Sequence, residues 1–119
     1  MINDTITVVG LVATTPRHIV TSDNQSITSF RLYSSQDDGD RGNWYTVTSF
    51  GDLAINAAHS IQKGQRVIVV ANLVIRDWDS GDRQSTSIEL NPITMGHDLT
   101  RGVAEFKRVN LIDIEDDEE

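Results

Sequence analysis

The chain has 119 residues, a formal net charge of −8 and no cysteine. That length suits one domain with a real core, and the missing cysteines exclude a disulfide framework or a thiolate metal site. No apolar run reaches transmembrane length, and MINDTITVVG has neither the basic nor the apolar region of a signal peptide, so the expectation is a soluble intracellular protein with no membrane partner.

The charge is unevenly spread. Residues 109–119, VNLIDIEDDEE, hold six acids and no base, leaving ten basic and twelve acidic residues in 1–108. A near-neutral body over 1–108 and a short, acidic, disordered tail over 109–119 are expected.

Apolar and polar residues alternate in short runs between turn clusters, the signature of an all-β domain. ITVVGLVA (6–13) reads as a first strand that stops near Pro16. The turn TSDNQ (21–25) leads into SITSFRLYSS (26–35), where Phe30 and Leu32 face one way and Arg31 and Tyr33 the other. QDDGDRG (36–42) has turn chemistry. The next strand, NWYTVTSF (43–50), places Trp44, Thr46, Thr48 and Phe50 on one face.

The period then changes. DLAINAAHSIQKG (52–64) spaces Leu53, Ala57 and Ile61 as a helix does, with Gly64 as its left-handed stop. QRVIVVANLVIRDW (65–78) is a long strand, DSGD (79–82) a turn, and STSIELN (85–91) a return strand that Pro92 ends or bends. GHDLTRGVAEFKR (96–108) has weak helical periodicity and is expected to pack on the body. Three strands, one helix and two strands is the order of the OB-fold, a five-stranded barrel with its helix between strands three and four.

The long strand is apolar on both parities from Val67 to Val70, so something must cover its outer face. The helix, the 96–108 segment or another subunit would serve. A subunit contact is expected for Ile68 and Val70.

Trp44 and Phe50 share a hydroxyl-bearing face, and Trp78 stands between two aspartates beside a turn. Bases of single-stranded nucleic acid stack on such side chains, at about 1–3 kcal/mol each and without regard to sequence. Alternatively, Trp44 and Trp78 cap the ends of the barrel. Arg31, Lys63, Arg66, Arg76 and Arg83 fall near these aromatics and suit phosphates; each alone reads more readily as surface charge, and the case lies in their combination with the aromatics.

Catalysis has almost no support. His18, His59 and His97 stand in unrelated contexts, with no nucleophile elbow, phosphate loop or paired-His motif. DWDSGDRQSTSIE (77–89) lacks the glycine and glutamate positions of a calcium loop, and DDGDRG (37–42) lacks the closing acid, so both read as turns. Neither a cofactor nor a metal is expected.

Over roughly residues 1–95 the chain resembles the bacterial single-stranded DNA-binding proteins. The resemblance lies in VVGLVATTPR, SFRL and NWYTVTSFGDLAINAAHSIQKGQRVIVVANLVIRDW. ITMGHDLTRGVAEFKR is similar to the shorter second copy carried by actinobacteria. The resemblance implies a homotetramer, for which a dimer of dimers is one arrangement, that wraps single-stranded DNA in replication, recombination and repair. A cytoplasmic, nucleoid-associated protein follows from it. Trp44, Phe50 and Trp78 fall at the family's stacking aromatics, while Arg31, Lys63 and Arg76 fall at basic positions.

The departures point to weaker binding or a smaller footprint. Gln36, Asp37 and Asp38 stand where the family usually has an aromatic and bases, in a shorter loop. Asp4 replaces a common basic residue and Ala71 a frequent glycine. The tail residues Ile112, Asp113, Ile114, Glu115, Asp116 and Asp117 follow the body directly and lack the Pro-Phe end that recruits repair and replication proteins. Recruitment by the usual pocket is therefore expected to be weak or absent, with a solubilising terminus the even alternative. The rival reading of the whole chain is an oligomeric OB-fold interaction module with weak or lost DNA binding.

Overall fold

The computed structural model describes residues 4–35 and 41–109, with the backbone alone at 78, 80, 83 and 84. The elements are β1 (Thr5–Val12), β2 (Arg17–Val20), β3 (Ser26–Ser35), β4 (Gly42–Phe50), α1 (Gly51–Ser60), β5 (Arg66–Ser80) and β6 (Arg83–His97). A single 3-10 turn, Leu99–Arg101, follows.

The six-stranded sheet runs β1-β5-β6-β4-β3-β2, and β1 also pairs with β3. That extra pairing closes β1, β5, β6, β4 and β3 into a ring and leaves β2 outside it, on the edge of β3. The five strands expected from the sequence are the ring. The sixth, β2, is the short RHIV segment after Pro16. β1 and β2 share one edge of β3, and the ladder is carried across the break between them. Ala13 N–H donates to Arg31 O at 2.8 Å, and Arg31 N–H donates to Thr14 Oγ1 at 2.9 Å.

Alternation sets the core. Val8 and Val12 of β1, Phe30 and Leu32 of β3, Val47 of β4, Val67, Val69 and Ala71 of β5 and Leu90 of β6 point inward and are buried. Each fully buried aliphatic side chain contributes about 1.5–3 kcal/mol of transfer free energy. At the β1–β3 closure a side chain on residue 10 would bring its Cβ within 2.6 Å of Tyr33 O, so only glycine fits there.

The helix is tied down by buried hydroxyls as well as by apolar contacts. Ala54 and Ala57 are buried in α1, and Ile61 just beyond it, whereas Leu53 is only partly so. Thr28 Oγ1 donates to Ala54 O at 2.7 Å, and Ser49 Oγ donates to Thr28 O at 3.1 Å. Gly51, at φ +70°, makes the sharp passage from β4 into the helix.

Three expectations need correcting or narrowing. The helix ends at Ser60 with an extended cap at Ile61. Gly64 (φ +93°) belongs instead to the turn into β5, where its N–H donates to Val12 O at 2.8 Å. Of the two outcomes expected at Pro92, an end or a bend, the strand does not end. Pro92 lies at a register shift between Val70 and Ala71 of β5, a place where ladders tolerate proline, and β6 continues to His97. Finally, 96–108 forms no helix beyond the 3-10 turn, and only its start packs on the body: Gly96 and His97 continue β6 and Asp98 meets Arg66, whereas Val103 is 98% exposed and Phe106 86% exposed. Among the described residues no helix is long and apolar enough to cross a membrane.

Candidate nucleic-acid interface

The face begins with the pleat of β4. Val47 and Ser49 point into the ring and are fully buried, so Trp44, Thr46, Thr48 and Phe50 point out. Trp44 remains 49% exposed and Phe50 45% exposed, which excludes both from the core. Phe50 keeps extended geometry as the residue before α1, and this preserves the parity of the strand to its end.

Antiparallel pairing with β3 widens the face. Tyr33 lies opposite Trp44, Arg31 opposite Thr46, Ser29 opposite Thr48 and Ile27 opposite Phe50. β2 adds Arg17 beside Ser29 and the exposed Ile19 beside Ile27. On the other side, parallel pairing sets Glu89 of β6 against Thr46.

Trp44 is held by two neighbours. The Tyr33 ring lies 4.9 Å from it, centroid to centroid, tilted by 49°. The Arg31 guanidinium sits 5.2 Å from the Trp44 centroid, a cation–π arrangement worth about 0.5–1 kcal/mol at an exposed site, and its Nε donates to Tyr45 O at 3.3 Å. A half-exposed indole fixed by an aromatic and a cation is a ready stacking surface, with a positive charge placed beside any base that lies on it.

A second relationship links distant parts of the sequence. Trp44 pairs with Tyr33, Tyr33 with Leu11, and Leu11 with Arg66, so one outward row crosses β4, β3, β1 and β5. Beside this row lies an open concave surface of about 1070 Å³. Thr7, Val9, Tyr33, Arg41, Trp44 and Arg66 contribute to its walls.

The proposed phosphate cations fare differently. Arg31 is on the face. Lys63 is exposed in the turn between α1 and β5, off the strands. Arg66 is engaged by Asp98, with Nε 3.5 Å from Oδ2. Two hydrogen bonds from Thr100 (backbone amide, then hydroxyl), followed by Arg66, hold the Asp98 carboxyl below the ordinary carboxylate value. Arg76 is on the outward face of β5 but is engaged by Glu89, Nε to Oε1 at 3.3 Å. Trp78 pairs through its backbone with Ser85, and Arg83 with Ser80, in the β5–β6 hairpin. Their side chains lie outside the described ones. So do Gln36, Asp37 and Asp38, and the tail residues Ile112 to Asp117, fall outside the described residues.

Ile68 and Val70 share the outward face of β5, opposite Val9 and Thr7 of β1. Ile68 is 37% exposed and Val9 40% exposed. Sequence reasoning missed Tyr33, Ile27, Ile19 and Glu89 as members of the Trp44 face. Tyr33 was findable, since it shares parity with Arg31; the other three depend on which strands are neighbours. Among the described residues no group of three His, Asp or Glu side chains could hold a metal ion.

Comparison with known proteins fits this geometry. Residues 3–95 match the single-strand binding protein family. The chain is 45% identical over 114 residues to single-stranded DNA-binding protein 2 of Tropheryma whipplei, covering 87% of this chain and 74% of that protein. It is 34% identical over 112 residues to single-stranded DNA-binding protein 1 of Streptomyces coelicolor, covering 87% and 71%. The crystal structure of the small single-stranded DNA-binding protein from Streptomyces coelicolor superposes with a TM-score of 0.78 at 31% identity, over 86% of this chain and all of that one. The second single-stranded DNA-binding protein of Mycobacterium smegmatis gives a TM-score of 0.74 at 28% identity, over 90% and 100%. A mostly β ring with one helix, an outward aromatic face and these likenesses together place the chain in the single-strand binding protein family, with its OB-fold and close to the second copies of actinobacteria.

Proposed function

We propose that this protein binds single-stranded DNA without regard to base sequence and protects it during replication, recombination or repair. The observation that carries the reading is the half-exposed Trp44 on the outward face of β4, braced by Tyr33 and Arg31, with Phe50 six residues along the same face. Stacking tolerates every base, and Arg31, with Lys63 and Arg83, supplies charge for the backbone. Trp78 belongs to the same proposal through its place in the β5–β6 hairpin.

Assembly into a homotetramer is part of the proposal. The helix packs against β2, β3 and β4, and the 102–109 segment is exposed, so neither covers Ile68, Val70 and Val9. A second copy is the remaining candidate of the three that the sequence suggested. Light scattering on Ile68→Asp tests it: a shift to smaller particles supports the contact, and an unchanged assembly contradicts it.

The exposed apolar face around Ile68 also favours the rival, an oligomeric interaction module. Fluorescence anisotropy with a labelled mixed-sequence single strand separates the two readings. Binding that weakens with salt, by a log–log slope of about −0.7 per phosphate contacted, supports DNA binding. No binding at low salt would leave only the interaction module.

A further inference from the structure

Glu89 occupies an unexpected place. It lies opposite Thr46 of β4 on one side and Val74 of β5 on the other, while its neighbour Leu90 points into the core opposite Val47 and Leu73. The side chain of Glu89 therefore emerges on the same outward face as Trp44 and Arg31. Arg31, Thr46, Glu89 and Val74 form one row across β3, β4, β6 and β5. A carboxylate in the middle of a surface meant for a polyanion is a cost, and something must offset it. The Arg76 guanidinium does so, 3.3 Å away and 52% exposed, while the Glu89 side chain is only 23% exposed beneath it.

We propose that Glu89 competes with nucleic-acid phosphate for Arg76, so that the pair sets the affinity and salt sensitivity of the face below what its cations would otherwise give. This rests on the reading of that face as the single-stranded DNA site. In the free protein the pair is locally neutral, so Arg76 holds no counterion for DNA to release. When a phosphate reaches Arg76 it must either share the guanidinium with Glu89 or displace it. Displacement leaves a partly shielded carboxylate without its cation, beside a second negative charge. Arg76 accordingly adds little to the count of phosphate contacts in the native protein, and an isosteric neutral side chain at position 89 would release it.

The test compares the native protein with Glu89→Gln, Glu89→Gln/Arg76→Ala and Glu105→Gln on one fluorescent oligo-dT over a range of salt. Glu105→Gln, on the exposed segment after the 3-10 turn, removes the same charge without touching the Glu89–Arg76 pair. Thermal melting and light scattering establish that each variant keeps its fold and assembly. Glu89→Gln is expected to bind about three- to tenfold more tightly at low salt, with a log–log slope steeper by about 0.7, one further phosphate contact. The double variant is expected to return to the native slope, and Glu105→Gln to leave it unchanged.

A Glu89→Gln slope equal to that of Glu105→Gln would overturn the inference while leaving DNA binding intact. Weaker binding by Glu89→Gln would overturn it too, showing that Glu89 positions Arg76 for phosphate. Failure of every variant to bind would remove the functional reading and this inference together. Binding by Glu89→Gln alone would support the inference in its strongest form.

Discussion

Tyr33 and Trp44 are directly opposed across β3 and β4, and their rings meet at 4.9 Å with a tilt of 49°. A tilted pair of this kind is worth about 0.5–1.5 kcal/mol beyond its buried area, and it fixes the plane of the exposed indole. Tyr33→Ala should therefore weaken single-stranded DNA binding by about two- to tenfold through a mobile Trp44, with Tyr33→Phe close to native. Binding isotherms with oligo-dT check this. Equal losses in Tyr33→Ala and Tyr33→Phe would point to the hydroxyl instead of the ring.

Gly42 makes that pair possible. A Cβ at this position would come within 2.6 Å of the Tyr33 ring and also crowd Ser34 O. Gly42→Ala should force the ring aside and destabilise the hairpin by about 1–3 kcal/mol. The expected readout is a lower melting temperature together with changed tryptophan emission before any ligand is added.

Thr28→Val tests how the helix is seated. It keeps the shape of a fully buried side chain but removes the hydroxyl that donates to Ala54 O at 2.7 Å. Losing that buried hydrogen bond should cost about 0.5–1.5 kcal/mol in denaturant unfolding. The salt dependence of DNA binding should not change, because Thr28 points inward, away from the Trp44 face.

Asp98 gives an acid-dependent stability. Its carboxyl is held below the ordinary 3.8 by Thr100 and then by Arg66. A lowered carboxyl favours the folded state above its unfolded value, and the advantage is lost as pH falls through the lower, folded value. Asp98→Asn should thus be less stable than the native protein at neutral pH. The difference should shrink below about pH 4. Paired thermal melts at pH 7 and pH 3 measure it.

Much of the face was legible because a strand has a period of two. Trp44, Thr46, Thr48 and Phe50 were placed on one side by parity alone, and burial of Val47 and Ser49 bears this out. The ring strands were legible for the same reason. β2 was not: its four residues are all exposed and carry no alternation to read. The helix stop was misread because a glycine with positive φ serves a turn as well as a helix end. Exposed Val103 and Phe106 defeated the expectation that apolar residues at helical spacing pack. The ion pairs were hidden for a different reason. Asp98 is 32 residues from Arg66, and Glu89 meets Arg76 only because β5 and β6 are antiparallel neighbours. Local pattern placed the aromatics, whereas sheet pairing decided which cations were already engaged.

The central claim is that the outward aromatics receive DNA bases, and titrating tryptophan fluorescence with oligo-dT at low and moderate salt tests it most directly. The chain has two tryptophans, Trp44 and Trp78, both proposed as stacking residues, so most of the signal reports on the site. The account predicts strong quenching that weakens with salt, and a smaller quench in Trp44→Phe. Unquenched emission at low salt with saturating oligo-dT would contradict it.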